Sequence, residues 1–320
     1  MKDIKFRSDK SEKMATREAY GKVLLDLGKE NENLVVMDAD LSGSTKTAAF
    51  AREFPERFFN MGIAEQNLYA AATGIALSGK TVCASTFAVF ATGRAFEIIR
   101  NMVAQTNANV KICASHAGIT TGEDGATHQS IEDIALMRGI PGMTVIVPSD
   151  GSSAASLIRR AVEMQGPCYV RLGRSAVPMV YEDDQPLEIG RAVRIRNGGD
   201  AAVIASGIMV NEAIMAADIL AAEGIDISVT DMHTIKPLDK DEIIDLAGIS
   251  GKIVTAEEHS IIGGLGSAVA EVLAEEAPAK LRRVGQKDCF GESGKPEELK
   301  KKYGMTAADI VSAVKELLGF

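Results

Sequence analysis

Glu65 opens an alanine-rich apolar run through Leu68, Ala71, Ala72, Ile75 and Ala76, where a stray carboxylate is costly. A glutamate at the start of a helix is also stabilised by the helix dipole, so its position alone leaves structural and chemical roles open. His116 and His128, two of only four histidines, share one loop with three glycines and the acid pair Glu123 and Asp124. Glycine lets backbone approach a ligand closely, and histidine suits proton transfer near neutral pH. The same composition also suits a solvated loop. Phe87 and Phe90 follow a strand-like run, Thr81 to Ser85, where they could pack the core or face a ligand.

The elements that must position these residues alternate strand and helix almost throughout. Ala15 to Leu27 reads as a helix and Leu34 to Met37 as a buried strand ending in Asp38 and Asp40. Glu65 to Leu77 reads as a helix stopped by Gly79, and Phe87 to Met102 as another. Further strands are expected at Val110 to Ser115, Thr144 to Val147 and Pro167 to Leu172, with Asp150 capping a helix through Met164. Polar residues sit at the ends of these strands: Asp38 and Asp40, Ser85 and Thr86, Ser115 and His116, Ser149 and Asp150, Gly173 and Arg174. Parallel sheets collect ligands at the carboxyl ends of their strands, which places the site in this first unit. The pattern repeats beyond a Pro- and acid-rich stretch. The fold class expected is therefore α/β in two domains, over 12–175 and 190–320, joined by a linker over 176–189.

A chain of 320 residues with 46% hydrophobic side chains can build two sizeable cores. A net charge of -9 argues against nucleic-acid or anionic-membrane binding. Met1 to Arg7 lacks the apolar core of a signal peptide, and no apolar run approaches a membrane span. Cys83, Cys113, Cys168 and Cys289 are scattered without metal-ligand spacing, so reduced cysteines, no metal held by this chain and a cytoplasmic setting are expected. Gly263-Gly264-Leu265-Gly266 reads as a tight strand-to-helix turn, with anion binding the alternative. His233 and His259 read as buried structural or interface histidines.

Three motifs together carry a resemblance. Phe59-Asn60-Met61-Gly62-Ile63-Ala64-Glu65, Ser85-Thr86-Phe87-Ala88-Val89-Phe90 and Gly122-Glu123-Asp124-Gly125-Ala126-Thr127-His128-Gln129 resemble, in order and spacing, the pyrimidine-binding domain of transketolases. Asp231 to Asp239 and Glu257 to Gly266 resemble the C-terminal domain of that group. The resemblance implies thiamine diphosphate as cofactor and transfer of a two-carbon ketol unit from a ketose to an aldose. It places Glu65 at N1′ of the aminopyrimidine, with Phe87 and Phe90 against the ring and Asp40 also near the cofactor. Partial burial and a raised proton affinity would help such an acid. His116 falls near the reacting carbon and Asp124 at a sugar hydroxyl. Arg17, Ser44, His128 and Arg174 fall around the substrate phosphate.

The chain departs from the family pattern at Gly93, where a tyrosine is usual, and over Ala117 to Thr121. The Gly-Asp-Gly motif that holds the diphosphate and Mg²⁺ in full-length transketolases occurs nowhere in the sequence. The chain is therefore expected to be the C-terminal subunit of a split transketolase, homodimeric within a heterotetramer, with an N-terminal partner holding the diphosphate and Mg²⁺. The β subunit of a 2-oxo-acid dehydrogenase and a non-catalytic scaffold are the competing readings. 1-Deoxy-D-xylulose-5-phosphate synthase carries both halves in one longer chain.

Overall fold

A computed structural model describes residues 4–9 and 11–320, so the first part of the Met1 to Arg7 stretch lies outside the described residues. Strands in chain order are β1 Lys13–Met14, β2 Leu34–Asp38, β3 Phe58–Asn60, β4 Thr81–Phe87, β5 Val110–Ser115, β6 Thr144–Ile146 and β7 Cys168–Arg171. They continue as β8 Val177–Pro178, β9 Val193–Arg196, β10 Ala201–Ala205, β11 Ile227–Asp231, β12 Thr234–Lys236, β13 Lys252–Ser260 and β14 Lys280–Gln286.

The first sheet has seven strands in the order β12-β6-β7-β5-β4-β2-β3, parallel except where β12 meets β6. The second has five strands in the order β14-β13-β10-β11-β9, parallel except between β11 and β9. Both sheets carry helices, as apolar strands buried on two faces require. In β2 the alternation is visible in the packing: Leu34 and Val36 join one core cluster, while Val35 and Met37 join the other. The two-domain α/β reading holds.

The structure departs from the sequence reading at several elements. The strand expected to end at Ser85 runs on through Phe87, and the following helical turns, from Phe90 to Ala104, contain two π segments, Phe90–Arg94 and Ile99–Ala104. Such widened turns recur at functional sites because they re-aim side chains. Short helices at Ser42–Thr45 and Ala48–Glu53 and strands β3, β9 and β12 were not legible. β12 leaves the second unit to cap the open edge of the first sheet, with Thr234 opposite Ile146. The stretch over 176–189 is packed rather than loose. β8 pairs with β1, and Met179, Val180, Tyr181 and Leu187 are buried, leaving Glu182, Asp183 and Asp184 exposed.

Candidate functional site

The polar strand ends gather along the carboxyl edge of the first sheet. At the end of β2, Asp38 is fully buried and accepts hydrogen bonds from the Leu41 amide and from the Thr45 and Thr47 hydroxyls, at 2.5, 2.7 and 3.1 Å. Burial still pushes its carboxyl above the usual range. These bonds fold the loop that presents Asp40 and Ser44. Asp40 adopts a left-handed backbone and accepts from the Asn60 side-chain amide at 3.0 Å; Asn60 in turn accepts from the Gly62 amide. That chain of bonds fixes the entry to the helix Glu65–Leu77, whose first residue is only 3% exposed.

The Glu65 carboxylate has a partner that the sequence reading missed. Arg94 Nη1 donates to both of its oxygens at 2.9 and 3.0 Å, and the guanidinium lies 4.8 Å from the centre of the Phe90 ring. Arg94 follows Phe90 by four residues, a spacing that puts both on one helical face and could have flagged it. Phe90 stacks nearly parallel on Phe87 at 5.8 Å, and Phe87 stacks on the His116 imidazole at 3.8 Å. His128 meets both phenyl rings edge-on, at 6.2 Å from Phe87 and 5.5 Å from Phe90. One aromatic cluster thus joins Phe87, Phe90, His116 and His128 beside Glu65.

His116 has a positive φ of 57° at the end of β5 and is buried. Its Nε2 lies 3.3 Å from Arg17 Nη1 and its Nδ1 lies 2.9 Å from the Ser115 hydroxyl. A guanidinium only donates, so Nε2 accepts and Nδ1 carries the proton. Burial, then the charges of Arg17, Arg174, His128 and Lys46, lower the His116 pKa to about 3. The imidazole is therefore neutral at neutral pH, a proton acceptor rather than a cation. Arg17 Nη1 also donates to the Ser44 carbonyl at 2.9 Å, while its Nε is buried without a hydrogen-bond partner. Burial and nearby Arg174 lower the Arg17 pKa.

Asp124 ends the tight helical turn Ile119–Asp124 and is exposed, and His128 is half-buried. Arg174 donates to the Thr121 carbonyl and, at 3.0 Å, to Glu123. The structure therefore brings Arg17, Ser44 and His116 into direct contact. It groups His128 with the phenylalanines and holds Arg174 against the Asp124 loop rather than against Arg17. Among the described residues, no three His, Cys, Asp or Glu side chains come together as a metal site.

Outside this edge, the Gly263–Gly266 turn already holds an anion of its own. Glu257, fully buried, accepts from the Leu265 and Gly266 amides at 2.7 and 2.8 Å, filling the helix N-terminus with a carboxylate. His233 and His259 are both buried, His233 beside the Thr234 hydroxyl and His259 with Nδ1 2.7 Å from the Ser260 carbonyl. Cys83, Cys113 and Cys168 are free and buried, and Cys289 is free and exposed. No helix is long and apolar enough to cross a membrane among the described residues.

A parallel sheet with a buried carboxylate and stacked aromatics at its carboxyl edge is followed by a second α/β domain, which defines a two-domain α/β class. Comparison with known proteins gives the family. Residues 12–180 match "Transketolase, pyrimidine binding domain" and residues 190–310 match "Transketolase, C-terminal domain", so the chain belongs to the transketolase family. It is 52% identical to a protein of Methanocaldococcus jannaschii named "Putative transketolase C-terminal section", over 94% of this chain and 95% of that one. It is 40% identical to the 6-deoxy-6-sulfo-D-fructose transketolase subunit SqwH of Clostridium sp. (strain MSTE9), over 94% of each. A solved structure described as "Split gene transketolase, inactive beta4 tetramer" superposes with a TM-score of 0.89 at 53% identity, covering 96% of this chain and 99% of that one. The chain is thus similar throughout to the C-terminal section of split transketolases.

Proposed function

We propose that this chain is the C-terminal subunit of a thiamine-diphosphate-dependent transketolase. It moves a two-carbon ketol unit from a ketose phosphate to an aldose phosphate once an N-terminal subunit supplies the diphosphate and Mg²⁺ site. One observation carries the reading. A flat cation, the Arg94 guanidinium, lies over Phe90 while bonded to buried Glu65. A flat aminopyrimidine needs those same two partners, an aromatic face and a carboxylate, so the donor set fits the pyrimidine half of the cofactor. The similarity to a transketolase C-terminal section and to a split-gene transketolase supports a partner for the other half.

Thiamine diphosphate, when bound, supplies the nucleophilic carbon that cleaves the ketose and carries the two-carbon unit. The chain's own residues do the rest. Glu65 shares a proton with N1′ of the pyrimidine, and its burial strengthens that bond by excluding water. Phe87 and Phe90 pack the ring, and Asp40, held by Asn60, lines the same edge. Neutral His116 accepts a hydrogen bond from a substrate hydroxyl through Nε2 once Arg17 turns from it to the terminal anion of the sugar. Arg17, with a buried unpartnered Nε, joins Ser44, His128 and Arg174 in holding the terminal anion of the sugar, and Asp124 accepts from a sugar hydroxyl. A guanidinium serves a phosphate and a sulfonate alike. The similarity to SqwH makes 6-deoxy-6-sulfofructose a donor to assay beside the ketose phosphates.

The test is reconstitution. The chain is mixed with an N-terminal transketolase subunit, thiamine diphosphate and Mg²⁺, and ketol transfer and oxidative decarboxylation of 2-oxo acids are assayed in parallel. Ketol transfer by the mixture but not by the lone chain is expected. Substantial transfer by the lone chain removes the split reading, and decarboxylation in its place removes the transketolase reading.

A further inference from the structure

The loop from Gly118 to Asp124, which separates His116 from His128, does not stand on the first domain alone. Glu258, near the end of β13 in the second domain, reaches across the domain boundary. Its Oε1 accepts from the Thr120 amide at 2.7 Å, a contact spanning 138 residues. Glu258 is 4% exposed, so this bond forms out of water between a carboxylate and a backbone donor. Gly118 shows how closely the two approach. A Cβ there would lie 2.2 Å from the Glu258 carboxyl carbon, and the residue has φ +81°, so glycine is required twice over.

Glu258 is itself held. Arg171 Nη2 donates to its carbonyl at 2.9 Å, and Nη1 lies 3.8 Å from its Oε2. Asp133 accepts from Arg171 Nε and Nη2 at 2.7 and 3.2 Å and from the Tyr169 hydroxyl at 2.6 Å. From the held amide the path to the site is short. Thr121, the next residue, donates from its hydroxyl to the His116 carbonyl at 2.7 Å. Ser175 donates to the Thr120 carbonyl at 3.1 Å, and the second domain touches the loop again where Gln129 bonds Ile119, Gly122 and Glu292 carbonyls.

We propose that Glu258 is a positioning residue through which the second domain fixes the Gly118–Asp124 loop, and so sets His116 and Asp124 toward the sugar substrate. This rests on the transketolase reading for its substrate but not for its geometry. Glu65, Phe87 and Phe90 stand on other elements, and the loop reaches Phe87 only by way of the His116 ring, so the clamp acts first on the sugar.

The test compares Glu258→Ala with Glu258→Gln, which keeps an oxygen for the Thr120 amide. In the reconstituted complex, Glu258→Ala is expected to raise the KM for the sugar phosphate about tenfold, the order of one lost bond to a charged acceptor. Thiamine diphosphate affinity stays at the wild-type value, and Glu258→Gln restores the KM. In the lone chain, hydrogen exchange at the Thr120 amide is expected to speed up in Glu258→Ala and to return in Glu258→Gln. Unchanged exchange and KM in Glu258→Ala overturn the proposal. So does a Gln variant as impaired as Ala, or a parallel loss of cofactor affinity that marks general disruption. If the wild-type complex shows no ketol transfer, the functional reading fails and the exchange comparison alone decides whether the clamp exists.

Discussion

Arg94 gives the sharpest prediction, because it occupies both oxygens of the buried acid. Its Nη1 donates to both oxygens of Glu65, and its central carbon lies over the Phe90 ring. A pyrimidine that stacks on Phe90 and shares a proton with Glu65 must either displace the guanidinium or work against it. The guanidinium already occupies both carboxylate oxygens, so it competes with the ring for the same acceptor. Arg94 is 52% exposed and Glu65 3%, so the pair is only partly desolvated. Solvent screening discounts it to about 1 kcal/mol, with roughly 2 kcal/mol an upper bound. Arg94→Ala removes that competition, and thiamine diphosphate should bind the reconstituted complex roughly five- to thirtyfold more tightly. Calorimetric titration of wild-type and Arg94→Ala complexes measures the difference directly. Weaker binding in the variant would refute the reasoning, because it would make Arg94 a holder of the cofactor rather than its rival.

Other expectations follow from the same geometry. His116, with its pKa lowered to about 3, stays neutral in the fold while an unfolded histidine protonates near its ordinary value of 6.5. Below that value the unfolded chain binds the extra proton, so stability falls as pH drops from about 6.5 toward 3, by up to about 1.4 kcal/mol per pH unit from this group. Burial lowers His233 to about 4 and adds to the loss, while buried Asp231, raised to about 7, opposes it. His116→Asn should therefore flatten, not abolish, the acid limb of urea-denaturation stability; an unchanged slope counts against a neutral buried imidazole. Asp150 caps the helix Gly151–Glu163 through the Ser153 amide at 2.7 Å and accepts from the Val180 and Tyr181 amides at 2.6 and 3.0 Å. Asp150→Ala leaves these donors unpaired and should cost about 3 kcal/mol in urea unfolding. A loss under about 0.5 kcal/mol would show that the helix start and the 176–189 stretch are not tied through it.

Much of this was legible locally. The helix Glu65–Leu77 has the bounds that its apolar spacing and Gly79 implied, and the polar residues following the apolar runs do line one sheet edge. Local pattern failed where the decisive contact is distant. Phe87 reads as the start of a helix, because two phenylalanines three apart fit a helical stripe; pairing with β5 makes it strand instead. β12 is a three-residue strand whose partner lies in the other domain, and Glu258 reads as one acid in a Glu-Glu-His run until Thr120 meets it. Arg94 was missed: its spacing to Phe90 is visible in the sequence, but its pairing with Glu65 depends on how widened helical turns aim it.

The central claim is that Glu65 is the proton partner of the cofactor in a site that this chain only half builds. The most direct measurement is the ketol-transfer turnover of Glu65→Gln paired with the wild-type N-terminal subunit. The glutamine keeps the shape and a hydrogen bond but cannot exchange a proton. Turnover is expected to fall about 10²- to 10⁴-fold while thiamine diphosphate still binds. A rate equal to wild type would contradict the role assigned to Glu65.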